Sequence, residues 1–280
     1  MTREKMTNFA SVAVFLSAFV FLYWQTLYGM AVDWYIDENY SHGFLIPLIS
    51  GYLVWQKRHT IKSVASSPSN LGLFIVIVGL VIYLVGNVAG ESFTMRVSLL
   101  FVMGGALLFT YGGGLFKTVS FPFFYLIFMI PLPYILYDSI AFPLKLFVSK
   151  YSVDFLRVIG VPTMREGNVI YLVDTTLEVA DACSGIRSMM SLLALSAALA
   201  YFTQRGWVKR AVLIVLAIPI ALFANSIRVI GTGILANRYG SRVAEGFFHE
   251  FAGLVIFGVA MAMLILSALV ISKTGSKKYE

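Results

Sequence analysis

The chain has one cysteine and three histidines among 280 residues, and only 12% of it is charged. A single cysteine excludes an internal disulfide, so Cys183 is either a small buried hydrophobe or a working thiol. One cysteine and well-separated histidines give no metal-ligand spacing, so no metal and no other cofactor is expected. The shortage of charge excludes an ordinary soluble domain, in which about 25% of residues are charged. What the chain has instead is apolar sequence. It is 59% hydrophobic with a mean hydropathy of +0.84, which places it in the bilayer class. The net charge of +7 would suit a nucleic-acid partner. The basic residues, however, stand in short clusters between apolar runs, as topology determinants do, and no nucleic acid is expected.

Eight spans can be drawn, at about 9–32, 41–56, 71–89, 97–114, 119–136, 184–202, 211–234 and 247–272. The first follows a basic start and could be a signal peptide. It is as long as a full span and no A-x-A site follows, so it is kept as helix 1. Pro47 interrupts the second, and Pro122, Pro131 and Pro133 crowd the fifth, so these two are expected to be kinked or re-entrant.

Lysine and arginine set the orientation. One set of connections carries Arg3 and Lys5, Lys57, Arg58 and Lys62, Lys117, Arg205, Lys209 and Arg210, and Lys273, Lys277 and Lys278. The opposite short loops carry Arg96 at one and Arg238 and Arg242 at another. The richer set is expected on the cytoplasmic side, with both termini inside and the protein in the cell inner membrane. Trp24, Trp34, Trp55 and Trp207 fall near predicted interfaces as an aromatic belt. The Gly86-x-x-x-Gly90 spacing and the run Ala194, Ser196, Ala197, Ala198 predict helix-packing surfaces.

One sizeable extramembrane piece remains, at about 137–182. Ser139 to Val158 has apolar residues at helical spacing, with Lys145, Lys150, Asp154 and Arg157 opposite, and predicts an interfacial helix on the outer leaflet. Glu166 to Ala180 predicts a hairpin with its turn near Asp174 and Thr175. The expected fold is thus an all-α polytopic membrane protein with about eight transmembrane helices. A small periplasmic interfacial helix and a β-hairpin complete it, as one domain over residues 1–280.

Cys183 lies in Asp181-Ala-Cys-Ser-Gly-Ile-Arg187, just ahead of an apolar span, with Ser184 as a good N-cap. Free amides and the dipole at a helix start favour a thiolate, and Arg187 adds positive potential, while Asp181 and Glu178 pull the other way. Arg228 comes from Asn225-Ser-Ile-Arg, about 26 Å along helix 7 from Ala211, and so near the outer interface. His249 opens helix 8 after a short polar loop. A thiol, a guanidinium and an imidazole from three helices are therefore expected at one membrane level. A thiolate can attack a carbonyl, His249 can carry the proton, and Arg228 can donate to the developing oxyanion. Glu250, Asp181 and Asn225 are all candidates to orient the histidine, and none is preferred.

Taken singly, each residue has an ordinary explanation. The cysteine could be structural, Arg228 a snorkelling arginine and His249 an interfacial polar group. Only the combination favours a site. His42, in Tyr40-Ser-His-Gly43, either contributes to that site or caps helix 2, the cap being preferred.

Ala182-Cys-Ser-Gly-Ile-Arg187, Asn225-Ser-Ile-Arg228 and His249-Glu-Phe-Ala-Gly253 resemble, in order and spacing, the three signature motifs of the exosortase/archaeosortase family. Tyr40-Ser-His-Gly43 followed by Pro47 is similar to that family's N-terminal region. The resemblance covers about residues 30–272 and is to the single-domain bacterial members. It implies a membrane cysteine transpeptidase or protease with Cys183, Arg228 and His249 as the catalytic trio. Arg187, Asn225, Ser184 and His42 would support it. It further implies, as partners, exported proteins with a C-terminal sorting signal: a Pro-Glu-Pro-like motif, a membrane helix and a basic tail. Membrane lipid is the surrounding partner, and a glycan or lipid is a candidate acceptor. The competing expectation is a non-catalytic subunit of exopolysaccharide export, in which Arg228 and His249 bind an anionic glycan or headgroup. A membrane acyltransferase is a third reading, for which no acyl-donor motif is present.

Overall fold

The structure is a computed structural model that describes residues 3–173, 175–179, 186–240 and 247–274. The chain is 84% helical, and its described part falls into two compact units, Met1–Pro133 and Tyr134–Glu280. Five of the described helices are long and apolar enough to cross a membrane: Ala13–Ile36, Asn70–Ala89, Ser92–Met129, Trp207–Tyr239 and Phe251–Lys273.

The first unit contains α1 (Arg3–Ile36), a 3-10 turn (Glu38–Phe44), α2 (Leu45–Gln56), α3 (Arg58–Ser63), α4 (Asn70–Ala89) and α5 (Ser92–Tyr125). A second 3-10 turn, Leu126–Met129, ends it. At 12 residues α2 is about 18 Å long, shorter than the hydrocarbon core. The spans expected at 97–114 and 119–136 are the two arms of α5, which turns back on itself at Gly112 (φ 81°, ψ −176°), so that a Cβ on Gly104 of the first arm would meet the Phe123 ring of the second. That bend is a docking point. Ser67 N–H donates to Tyr111 O at 3.1 Å, and Ser67 bridges to Gly112. A Cβ on Gly112 would collide with the Ser67 carbonyl oxygen.

The α4–α5 hairpin is closed by Gly90 in the left-handed region and by Glu91, whose carboxylate caps α5 by accepting from the amides of Phe93 (3.0 Å) and Thr94 (2.6 Å). Its seam is not the Gly86/Gly90 pair. Gly72, Gly79 and Gly86 are the buried positions of α4, and a Cβ on each would meet α5: the Phe109 amide, Val102 and Phe101, and Met95. Gly90 has open space around it, because it serves the turn instead. Small residues let the two backbones approach closely where the bilayer gives no hydrophobic drive to associate.

In the second unit α6 spans Tyr134–Val158, starting immediately after Pro133 and so ahead of the expected Ser139. It buries Val148, Ser149, Ser152, Val153 and Leu156 while Phe142, Phe147, Tyr151 and Phe155 stay exposed. Over the segment expected to form a hairpin the chain makes three short strands, β1 (Met164–Glu166), β2 (Val169–Tyr171) and β3 (Thr176–Glu178), paired antiparallel in that order. Asp174, in the expected turn, lies outside the described residues. Ile170 and Val179 join Val148, Val153 and Val229 in one buried cluster, against which Leu177 and Leu222 pack. Ser149 adds a hydrogen bond from its hydroxyl to Gly167 O at 3.0 Å.

The remaining helices are α7 (Ile186–Thr203), α8 (Trp207–Tyr239) and α9 (Phe247–Lys273), which pack against one another. Ala194, Ser196, Ala197 and Ala198 are buried, as their size predicts for a packing face. Gln204, also buried, donates through Nε2 to Ala268 O at 2.8 Å and ties the α7 end to α9. Leu156 of α6 fills the space left by Gly233 of α8.

Candidate functional site

The expected site residues fall differently within what the structure describes. Cys183 and Ser184 lie outside the described residues, three and two positions ahead of Ile186, where α7 begins. His249 is the third residue of α9. Arg187 stands in the first turn of α7, half-buried and engaged in polar contacts. Asn225 is 3% exposed and Arg228 half-buried, both on α8 and one turn apart.

The structure brings motif-bearing helices together at Arg228. Its guanidinium lies against Gly253 of α9: a Cβ built there would sit 3.3 Å from Nη2 and 3.4 Å from Cζ. Around this contact is a cavity of about 10 Å³, lined among others by Ser188, Asn225, Arg228, Gly253, Ala224 and Phe257. That is room for about one water molecule. Ser188 comes from the first turns of α7, so α7, α8 and α9 all contribute. The lining is polar on the side of Ser188, Asn225 and Arg228 and apolar on the side of Ala224 and Phe257. A cation held there is costly unless its donors are engaged, which makes it a strong local source of positive potential. On α9, His249 precedes Gly253 by four residues, so their backbone positions share a face about 6 Å apart along the axis.

The sequence expectation ended helix 7 at 234, whereas α8 runs on to Tyr239. From Trp207 to Arg228 the rise is about 32 Å, close to the thickness of a hydrocarbon core. Gly253, present in the quoted motif, had no role assigned by sequence reasoning. Its role depends on the absence of a side chain, which becomes meaningful only once its neighbour across the helix pair is known.

His42 belongs to the first unit. It sits in the 3-10 turn ahead of α2, not in the helix, with its imidazole hydrogen-bonded to the backbone of Phe128 and of Asn39. Trp34 is not part of an exposed belt. It is 9% exposed and donates through Nε1 to Met129 O at 2.8 Å, whereas Trp24, Trp55 and Trp207 are exposed as expected of interfacial tryptophans. The Tyr40 hydroxyl is directed at the backbone of Leu132. Pro131 and Pro133 keep the chain after α5 from continuing as regular helix, and side chains from residues 34–42 supply partners for its backbone groups.

Sequence reading also missed a partly buried ion pair in this unit. Arg96, 9% exposed, donates through Nη2 to Asp33 Oδ2 at 2.5 Å, joining α5 to α1. Asp33 follows one apolar run and Arg96 precedes another, which was the signal available. Among the described residues no three His, Cys, Asp or Glu side chains gather as a metal set.

Long apolar helices and a partly buried arginine seated at a three-helix junction define a multi-pass helical membrane protein with a polar centre in its second unit. More particularly, the chain belongs to the transmembrane exosortase (Exosortase EpsH) family, whose profile matches residues 34–266. This is a family of membrane protein-sorting enzymes, generally cysteine transpeptidases. No curated protein and no solved structure matches the chain.

Proposed function

We propose that this chain is an inner-membrane cysteine transpeptidase or protease that cleaves the C-terminal sorting signal of exported proteins. Both termini are cytoplasmic and the site is at the periplasmic face. Cys183 is the nucleophile, His249 the general acid/base and Arg228 the oxyanion donor. Arg187, Asn225 and Ser184 support the site from its surroundings, and His42 serves its own turn. The observation that carries this reading is the seat of Arg228 on Gly253 beside Ser188. α7, which begins at Ile186 after the cysteine, meets there the helices α8 and α9 that carry the arginine and histidine motifs.

The chemistry balances with these groups alone. The Cys183 sulfur bonds the scissile carbonyl carbon as its proton passes to His249, and negative charge on the carbonyl oxygen is met by Arg228. Collapse breaks the C–N bond, the amine leaves with the proton from His249, and a thioester remains. Water, or a glycan or lipid hydroxyl or amine, then attacks the thioester and restores the thiol. A substrate helix with a basic tail stops with the tail in the cytoplasm, so its motif emerges at the level where Arg228 ends a 32 Å rise.

Cys183→Ala is expected to abolish processing of a co-expressed reporter carrying a Pro-Glu-Pro motif, an apolar helix and a basic tail, with membrane insertion intact. Full processing by that variant overturns the reading. A membrane-impermeant thiol reagent should label Cys183 from outside and stop activity in step with labelling.

A further inference from the structure

Among the described residues, β3 of the second unit's three-stranded sheet is unpaired on one side, and β3 precedes Cys183 in the sequence. Its hydrogen-bond phase follows from the register. Val169, Ile170 and Tyr171 face Glu178, Leu177 and Thr176, with Leu172 N–H donating to Thr175 O (2.8 Å) and Val179 N–H to Asn168 O (2.9 Å). Antiparallel pairs alternate between bonded and non-bonded, so the bonded pairs are 168/179, 170/177 and 172/175. The backbone of Leu177 therefore faces β2. The N–H and C=O groups of Thr176 and Glu178 point the other way, off the edge of the sheet.

Both residues are exposed, and among the described residues no strand pairs with this side of β3. Edges of this kind are usually blunted by proline, lysine or a bulge. β3 reads Thr-Leu-Glu: its three-residue length and the Glu178 charge limit long-range pairing with other sheets, but it has no proline, lysine or bulge to stop a short segment from pairing. The strand is nevertheless firmly held. Leu177 packs on the buried cluster that contains Val179, Ile170 and Val229, the residue after Arg228. Asn168 clamps the end of the strand by donating through Nδ2 to Val179 O at 3.3 Å. Five residues beyond Glu178 the chain reaches Cys183.

We propose that the outer edge of β3 receives an extended segment of the exported substrate as a fourth strand, bonded to the N–H and C=O groups of Thr176 and Glu178. This rests on the reading of the chain as a Cys183 sorting enzyme and adds how the substrate is gripped. Strand addition draws affinity from main-chain hydrogen bonds, so it suits an enzyme that must accept many exported proteins sharing only a short motif. Two outward-facing residues match a contact three or four residues long. The covalent path from β3 to Cys183, and the anchoring of β3 beside Arg228 through Val229, favour the peptide to be cleaved over any other extended partner. Main-chain pairing fixes the register of the bound segment on β3, and positioning of this kind is what acyl transfer needs.

The test separates binding from cleavage. In Cys183→Ala protein, p-benzoylphenylalanine in place of Glu178 should crosslink the Pro-Glu-Pro reporter, and the same probe in place of Tyr151 should not. In the active enzyme, Thr176→Pro and Glu178→Pro each delete an outward N–H and spare the bonds to β2. They should raise KM at least 10-fold with kcat within twofold and the melting temperature unchanged, whereas Thr176→Val behaves as wild type. N-methylation of the reporter's glutamate, the one amide donor between its prolines, should weaken capture by the unmodified enzyme to the same degree. Capture that ignores both the proline variants and the N-methyl group overturns the proposal, as does crosslinking from position 178 only to a second copy of this chain. If Cys183→Ala still processes the reporter, the catalytic reading fails instead, and the crosslink from position 178 reports strand addition independently.

Discussion

The guanidinium of Arg228 rests against Gly253, so that a single added methyl on α9 would stand 3.3 Å from Nη2. The arginine's position is thus set by a residue of another helix that contributes no side chain.

Gly253→Ala should push the guanidinium aside by a few tenths of an ångström, and Gly253→Val by more. A misplacement of 1 Å can cost roughly 100-fold in rate, so processing should fall by about 10-fold for alanine and further for valine. In an Arg228→Ala background the same changes should cost nothing more. A loss in that background equal to the loss in wild type would show that Gly253 acts through helix packing alone.

Asp33→Ala removes the partner of a buried cation. Asp33 is itself 41% exposed, so the loss should be that of a buried donor left without its partner, about 1–3 kcal/mol, and not that of a fully buried pair. Thermal unfolding in detergent should show the loss. Asp33→Ala combined with Arg96→Leu should recover most of it, and no recovery in the double variant would refute the ion-pair account.

Gly112→Ala should loosen the connection between α3 and α4. Gly112 adopts φ 81° and ψ −176°, a region in which an L side chain costs about 1–3 kcal/mol, before the clash with Ser67 O is counted. Faster tryptic cleavage at Lys62, with slower change elsewhere, is the expected signature.

Glu91→Ala should cost about 0.5–2 kcal/mol as a lost N-cap. Burial pushes the Glu91 carboxyl up, but hydrogen bonds from Thr94 and Phe93 and the charge of Arg96 outweigh it and hold the group below its ordinary value. A depressed carboxylate stabilises the fold fully above its unfolded pKa and loses that contribution as pH falls through the folded one. The acid limb of the stability profile should therefore flatten in Glu91→Gln, and an unchanged limb would rule out the cap as its source.

The apolar runs were legible because hydrophobicity is additive along the chain, and α4, α8 and α9 fall close to where composition puts them. The reversal between the runs expected at 97–114 and 119–136 was legible too, but its place at Gly112 was not, since any of the three glycines 112–114 could have served and only the contact with Ser67 selects one. Trp34 was misplaced for a related reason: interfacial and buried tryptophans share the same neighbours in sequence, and only the Met129 carbonyl distinguishes them. The arginine and histidine motifs were readable as motifs. The contact between them was not, because it is carried by Gly253, a residue whose contribution is empty space.

The glycine seam of α4 draws only on residues between Asn70 and Phe109, and its three contacts repeat at seven-residue intervals. A hairpin with so local a seam is complete as soon as the first arm of α5 has left the ribosome and insertion machinery. It can enter the lipid as a ready-made wedge, against which segments synthesised later find their places.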